Sequence, residues 1–147
     1  MVARRVDTDD RRAEPEPLTL PLAEGVPSLG SVRRWAGDAL ADLGEDDLDD
    51  CMLVVTELVS NAYDHGSAPR RVRLLRPAGP CSVRIEVDDA SPEQPVLGRS
   101  RLGVNRGRGM IIVDRLSRRW GVDRCPDGKT VWAQLACTPP DHARQPA

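Results

Sequence analysis

The sequence predicts an α/β (α+β) two-layer sandwich: a mixed, largely antiparallel sheet with helices packed on one face. Three observations predict it. Short stretches alternate apolar with charged residues, as half-buried strands do. Longer stretches carry apolar stripes at helical spacing. The strand-like stretches come in pairs joined by Pro/Gly turns, while two helical stretches adjoin, so helices group instead of alternating with strands.

Leu18-Thr19-Leu20-Pro21-Leu22 alternates like a short strand, and Pro21 places it at a sheet edge. Ser28 suits the cap of a helix with the stripe Val32, Trp35, Ala36, Ala39, Leu40 and Leu43, which Gly44 is expected to stop. A second helix starts in the acidic run Glu45-Asp46-Asp47, which complements a helix N-terminus, and continues to about Tyr63. Its core stripe is Leu48, Met52, Val55, Val59 and Ala62.

Val72 and Leu74 alternate with Arg71 and Arg73, and Val83, Ile85 and Val87 with Arg84 and Glu86. They predict two strands joined at Pro77-Ala78-Gly79-Pro80. The Pro-, Gly- and Arg-rich stretch 90–106 is long for a loop in a compact domain, which marks a lid. Gly107-Arg108-Gly109 then opens a short helix with Met110, Ile111, Val113 and Leu116. Residues 120–124 and 130–136 form a closing hairpin around Pro126-Asp127-Gly128.

The 147 residues suit one domain. The charged, proline-bearing residues 1–17 read as a disordered arm, 18–136 as the folded domain, and 137–147 as a flexible tail. Net charge is −2, which argues against a global basic field for nucleic acid or anionic membrane. Aromatics are 3%, too few for stacking platforms on single strands, so the arginines around 70–76 and 99–108 read as a solvated face. The apolar runs are too short to span a bilayer, and no apolar region follows the early arginines, so a cytoplasmic location is expected. Cys51, Cys81, Cys125 and Cys137 form no C-x-x-C pair, and with His65 and His142 they complete no metal-ligand spacing. Four reduced structural cysteines are therefore expected. Lys129 is the single lysine in the chain.

Chemistry concentrates in three places. Glu57 and Asn61 are four residues apart and stack on one helical face, on the same row as Leu53. That row lies away from the core stripe yet begins with an apolar residue, so a second covered face is expected, where an acid and an amide need polar partners. Asn61 offers a hard oxygen suited to Mg²⁺, and Glu57 suits a general base. Taken alone, the same spacing also fits a solvated helix face. The strand 83–87 ends in Asp88-Asp89-Ala90-Ser91-Pro92, where a carboxylate can accept the exocyclic amine of adenine, or simply form a turn. Gly107 and Gly109 at a helix start allow close approach of an anion, with Arg106 and Arg108 to add charge-assisted bonds. A flexible turn would look the same.

The order of these parts is more specific than any one of them. With it, residues 18–136 resemble the Bergerat-fold ATP-binding proteins, which include gyrase B, the Hsp90 chaperones, histidine kinases and MutL. Within them the chain is most similar to the single-domain anti-sigma-factor serine/threonine kinases of actinobacteria. Glu57-Leu58-Val59-Ser60-Asn61-Ala62 with His65-Gly66 matches the N box, Asp89-Ala90-Ser91-Pro92 the G1 box, Gly107-Arg108-Gly109-Met110 the G2 box, and Gly128-Lys129-Thr130-Val131-Trp132 the closing strand. The G1 glycines are replaced by Ser91-Pro92, a form usual in the actinobacterial branch.

The resemblance implies ATP and Mg²⁺ as cofactors. It implies Asn61 as metal ligand, Glu57 as catalytic carboxylate and Asp89 as adenine ligand supported by Thr130. Arg106, Gly107, Arg108, Gly109 and Met110 would lie at the phosphates, with His65 nearby. It further implies a homodimer that binds a sigma factor and phosphorylates an anti-anti-sigma protein. A catalytically silent ATP-binding interaction module is the alternative. A histidine kinase fragment is not expected, because the stretch before the first strand contains no histidine.

Overall fold

A computed structural model of the chain describes residues 16–25, 28–78, 80–91 and 104–138, and of 104–109 the backbone alone. Most of the N-terminal arm, the core of the lid (92–103) and the tail beyond 138 lie outside the described residues.

The elements run β1 (Leu18–Leu22), α1 (Leu29–Ala39), α2 (Glu45–His65), β2 (Arg70–Leu75), β3 (Ser82–Asp89), α3 (Val104–Leu116), β4 (Arg119–Cys125) and β5 (Gly128–Ala136). The strands form one sheet in the order β1-β2-β3-β5-β4. Every pairing is antiparallel, so the sheet has no parallel pair among the described residues. This is the expected two-layer α+β architecture.

Strand parity divides the molecule. Val72, Leu74, Val83, Ile85, Val87, Val131, Ala133 and Leu135 point to one face and join a core with Val54, Val55, Leu58 and Val59 of α2. That helix lies over β3 and β5, with α1 and α3 packed beside it. The opposite parity carries a charged ladder. Arg73 bridges Glu86 and Asp88, Arg84 holds Glu86, and the Arg84 guanidinium lies 4.1 Å from the centre of the Trp132 ring. Trp132 rests on Gly121, where a Cβ would stand 2.9 Å from the ring.

Several local expectations are corrected. α1 ends at Ala39, before Leu40 and Leu43, and Gly44 is the N-cap of α2 instead of the stop of α1. Its extended backbone lets the acidic first turn begin immediately after it. Ser28 stands at the N-cap of α1, but its hydroxyl donates to Ser31 Oγ and not to a backbone group. α3 starts three residues before Gly107, so both glycines lie inside the helix. Helical glycine costs only about 1 kcal/mol, and Met110 and Val113 anchor this helix in the core. Cys81 and Cys137 are joined by a disulfide across the start of β3 and the end of β5, with Cα atoms 5.1 Å apart. Sequence spacing did not bring them together. The β3–β5 register does, by pairing Ser82 with Ala136.

Candidate functional site

The site is built on the last turns of α2. Burial there is uneven along the row of Leu53, Glu57 and Asn61. Leu53 is 46% exposed, Glu57 half-buried and Asn61 only 7% exposed. The expected second covered face therefore exists at the Asn61 end and not at Leu53. Nδ2 of Asn61 is buried and finds no hydrogen-bond partner among the described residues. A buried amide left open in this way normally has a ligand, ion or water as partner. Burial, and secondarily the negative charge of Asp64, pushes the Glu57 carboxyl above its ordinary value.

The C-terminal end of α2 is clasped from outside. Arg70 donates from Nε to Ala62 O at 2.8 Å and from a terminal nitrogen to Gly66 O at 3.1 Å. The Ala62 carbonyl also accepts from Gly66 N, so Arg70 adds a second, charge-assisted bond there and caps the Gly66 carbonyl beyond the helix end. The same guanidinium lies 4.4 Å from the centre of the Tyr63 ring, and the Tyr63 hydroxyl reaches Ala23 O. His65 is the last residue of the helix and is half-buried.

β3 delivers Asp89 against this helix end. The strand's inward parity runs Val83, Ile85, Val87, Asp89, so the carboxylate points to the helix side. A Cβ on Gly66 would stand 2.4 Å from Asp89 Cγ and 2.6 Å from Ala62 O. Only glycine allows that approach. Ala90 N donates to Ser67 O at 2.8 Å, tying the strand end to the segment after α2. On the far side Gly128 has φ +157°, and a Cβ there would stand 2.1 Å from Asp89 O.

Asp89 is closed in. Its Oδ1 accepts from Ser91 N at 2.7 Å. Lys129 Nζ lies 3.1 Å from Oδ2 and 3.3 Å from Oδ1, and donates to Ser91 O at 3.1 Å. The two side chains of this ion pair are each 1% exposed.

Thr130 does not support Asp89. Its hydroxyl bonds Asp88 Oδ1, on the opposite face of the sheet. The register explains this: Thr130 pairs with Asp88 and Lys129 with Asp89. Burial pushes the Asp88 carboxyl up, but hydrogen bonds from Thr130, Arg71 and Arg73 outweigh it and hold the group below its ordinary value.

The third expected part comes from α3, which packs along α2. Because the helix begins at Val104, its free N–H groups lie in the turn before Gly107. Met110 is fully buried in the core, so its side chain packs and does not face a ligand. The side chains of Arg106 and Arg108 lie outside the described residues, as do Pro92 and Glu93 after the G1 position. A hollow of about 460 Å³ also reaches Asp89. It is lined by Thr19, Pro21, Arg71 and Asp88, which sit on the outer parity of the sheet, away from Asn61.

Of the residues singled out in the sequence, Asn61 lies near the end of α2, Asp89 abuts that end, and Glu57 stands one turn further back on the helix. Lys129, Gly66, Gly128 and Arg70 join that corner without having been given a role there. Lys129 was signalled by its parity: it extends the inward row Val131, Ala133, Leu135, as Asp89 extends that of β3.

No group of three or more His, Cys, Asp or Glu among the described residues could hold a metal. Asn61 would offer one amide oxygen to a cation held mainly by the ligand's phosphates and by water, as Mg²⁺ is at phosphate sites. No helix among them is long and apolar enough to cross a membrane.

An antiparallel sheet covered by helices on one face, with an Asn-bearing helix end against a strand-end aspartate, defines a two-layer α+β sandwich. Residues 23–135 match the family of the histidine kinase-like ATPase domain, and the chain belongs to that family. Membership implies ATP as the nucleotide. The chain is 35% identical over 99 residues to an uncharacterized protein of Streptomyces coelicolor, a match covering 63% of this chain and 92% of that protein. Its fold is similar to that of the RsbU and RsbW domains of Rv1364c from Mycobacterium tuberculosis, with TM-score 0.58, 19% identity, and 86% of this chain covered. The match spans about a third (34%) of that solved chain. A blue-light activated histidine kinase from Erythrobacter litoralis aligns with TM-score 0.49 and 20% identity, over 74% of this chain and 40% of that one.

Proposed function

We propose that the protein is a cytoplasmic ATP-dependent regulator of the anti-sigma-factor type. It binds ATP with Mg²⁺, phosphorylates a serine or threonine on an anti-anti-sigma partner, sequesters a sigma factor, and works as a homodimer. The observation that carries this reading is the junction of α2 and β3. Glu57 and Asn61 share one face of the helix, and Asp89 abuts that helix's last turn through Gly66.

Asn61 holds the cation through its amide oxygen. Its buried Nδ2 is then free to donate to an anionic oxygen. Asp89 reads the adenine amine, the open N–H groups of the first turn of α3, before Gly107, receive the phosphates with Arg106 and Arg108, and His65 stands beside them. ATP supplies the phosphoryl group, and Mg²⁺ neutralises charge on it. Glu57 accepts the proton of the acceptor hydroxyl. Its raised proton affinity suits that task better than a fully solvated carboxylate would.

The test is phosphate transfer from labelled ATP to the anti-anti-sigma proteins of the same organism. Transfer by the wild type, its loss in Glu57→Ala, and retained nucleotide binding in that variant support the kinase. The closed state of Asp89 favours a second reading, a silent ATP-binding interaction module. Binding without transfer to any partner would select it.

A further inference from the structure

We infer that Lys129 is an internal occupant of the adenine-reading carboxylate, and that a nucleotide base must displace its ammonium to reach Asp89. This rests on the adenine role proposed above for Asp89.

Lys129 Nζ lies within 3.3 Å of both carboxylate oxygens. Its donors are taken up by Asp89 and by Ser91 O, and Ser91 N closes Oδ1. Gly66 leaves no room on the helix side, and Gly128 packs on the backbone behind. With each side chain 1% exposed, no face of the carboxylate is open to an incoming amine. The ammonium thus stands where the base's N–H would donate. Trading a charged donor for a neutral one weakens the bond to Asp89, so occupancy by Lys129 lowers nucleotide affinity. Affinity is scaled down by the fraction of time the pair stays open. Only Gly128 separates Lys129 from the exposed hairpin tip Pro126-Asp127, which gives a displaced ammonium a short route to water. Lys129 is therefore a residue that sets affinity and base discrimination through Asp89, not a catalytic one.

The chain's single lysine gives a direct test on the unaltered protein. An amine-acylating reagent, read by peptide mass spectrometry, reports Lys129 apart from the N-terminus. In the native chain labelling should be about tenfold slower than in urea, and saturating ATP with Mg²⁺ should accelerate it while GTP does not. Lys129→Met should bind ATP about tenfold more tightly with GTP affinity unchanged, because an unpaired buried carboxylate gains most from a new donor. ATP that binds and leaves Lys129 shielded overturns the inference. So does a folded Lys129→Met that binds ATP no better than wild type. Should Lys129→Met not fold, the labelling of wild type still decides. Asp89→Asn separates the two levels. If it keeps wild-type ATP affinity and the same preference over GTP, the adenine reading itself fails, whatever Lys129 does.

Discussion

Gly66 and Asp89 are in contact with no space between them: a methyl group on Gly66 would overlap the Asp89 carboxyl carbon at 2.4 Å. The contact joins the end of α2 to the end of β3, so the geometry of the corner depends on a missing side chain. Gly66→Ala forces one of the two backbones to shift. It is expected to cost about 1–3 kcal/mol, as overpacking does, in urea denaturation, and to weaken ATP binding along with stability.

Glu57 supplies a pH dependence. Burial, then Asp64, raises its carboxyl above its ordinary value. A raised carboxyl favours the protonated native state. Its contribution to stability is present below the unfolded value and is lost as pH rises through the folded one. Activity runs the other way, since a base must be deprotonated. The acid limb of phosphate transfer should lie above the ordinary glutamate range, and Asp64→Asn should move it to lower pH. An unmoved limb would show that another group titrates.

Much of this architecture is legible in the sequence because one rule governs it. Strand parity predicts the inward rows of β2 and β3, and the 3.6-residue stripe predicts α2. The same parity places Asp89 inward and Asp88 outward. What parity does not contain is register. Nothing in the sequence pairs Thr130 with Asp88 in place of Asp89, or brings Cys81 to Cys137. The start of α3 was misplaced for a different reason. Gly107 and Gly109 are poor helix formers, but the buried Met110 and Val113 outweigh that preference.

Thr130 tests the register. Its hydroxyl and two arginines hold Asp88 below its ordinary value against the opposing effect of burial. A lowered carboxyl contributes stability above its unfolded value and loses it as pH falls through the folded one. Thr130→Val should cost about 1 kcal/mol at neutral pH and less once the pH has fallen through the folded-state value of Asp88, in urea titrations. ATP affinity should stay within about twofold, because the bond lies on the face away from the helices and adds little to binding.

The cysteines are separable by reagent. Cys51 is buried and its thiol is pushed up to about 12, chiefly by burial, so it should not react in the native state. Cys125 is exposed and Cys81 and Cys137 are paired. A thiol-titrating disulfide reagent should find one thiol in the native chain, two on denaturation and four after reduction. Four thiols without reductant would contradict the bond.

The central claim is that Asn61 and Asp89 serve one nucleotide. Isothermal titration of ATP into the full chain, with and without Mg²⁺, tests it most directly when repeated on Asn61→Ala and Asp89→Ala. The account expects Asn61→Ala to abolish the Mg²⁺-dependent part of the affinity and Asp89→Ala to abolish the preference for ATP over GTP. Wild-type binding curves for both variants would contradict it.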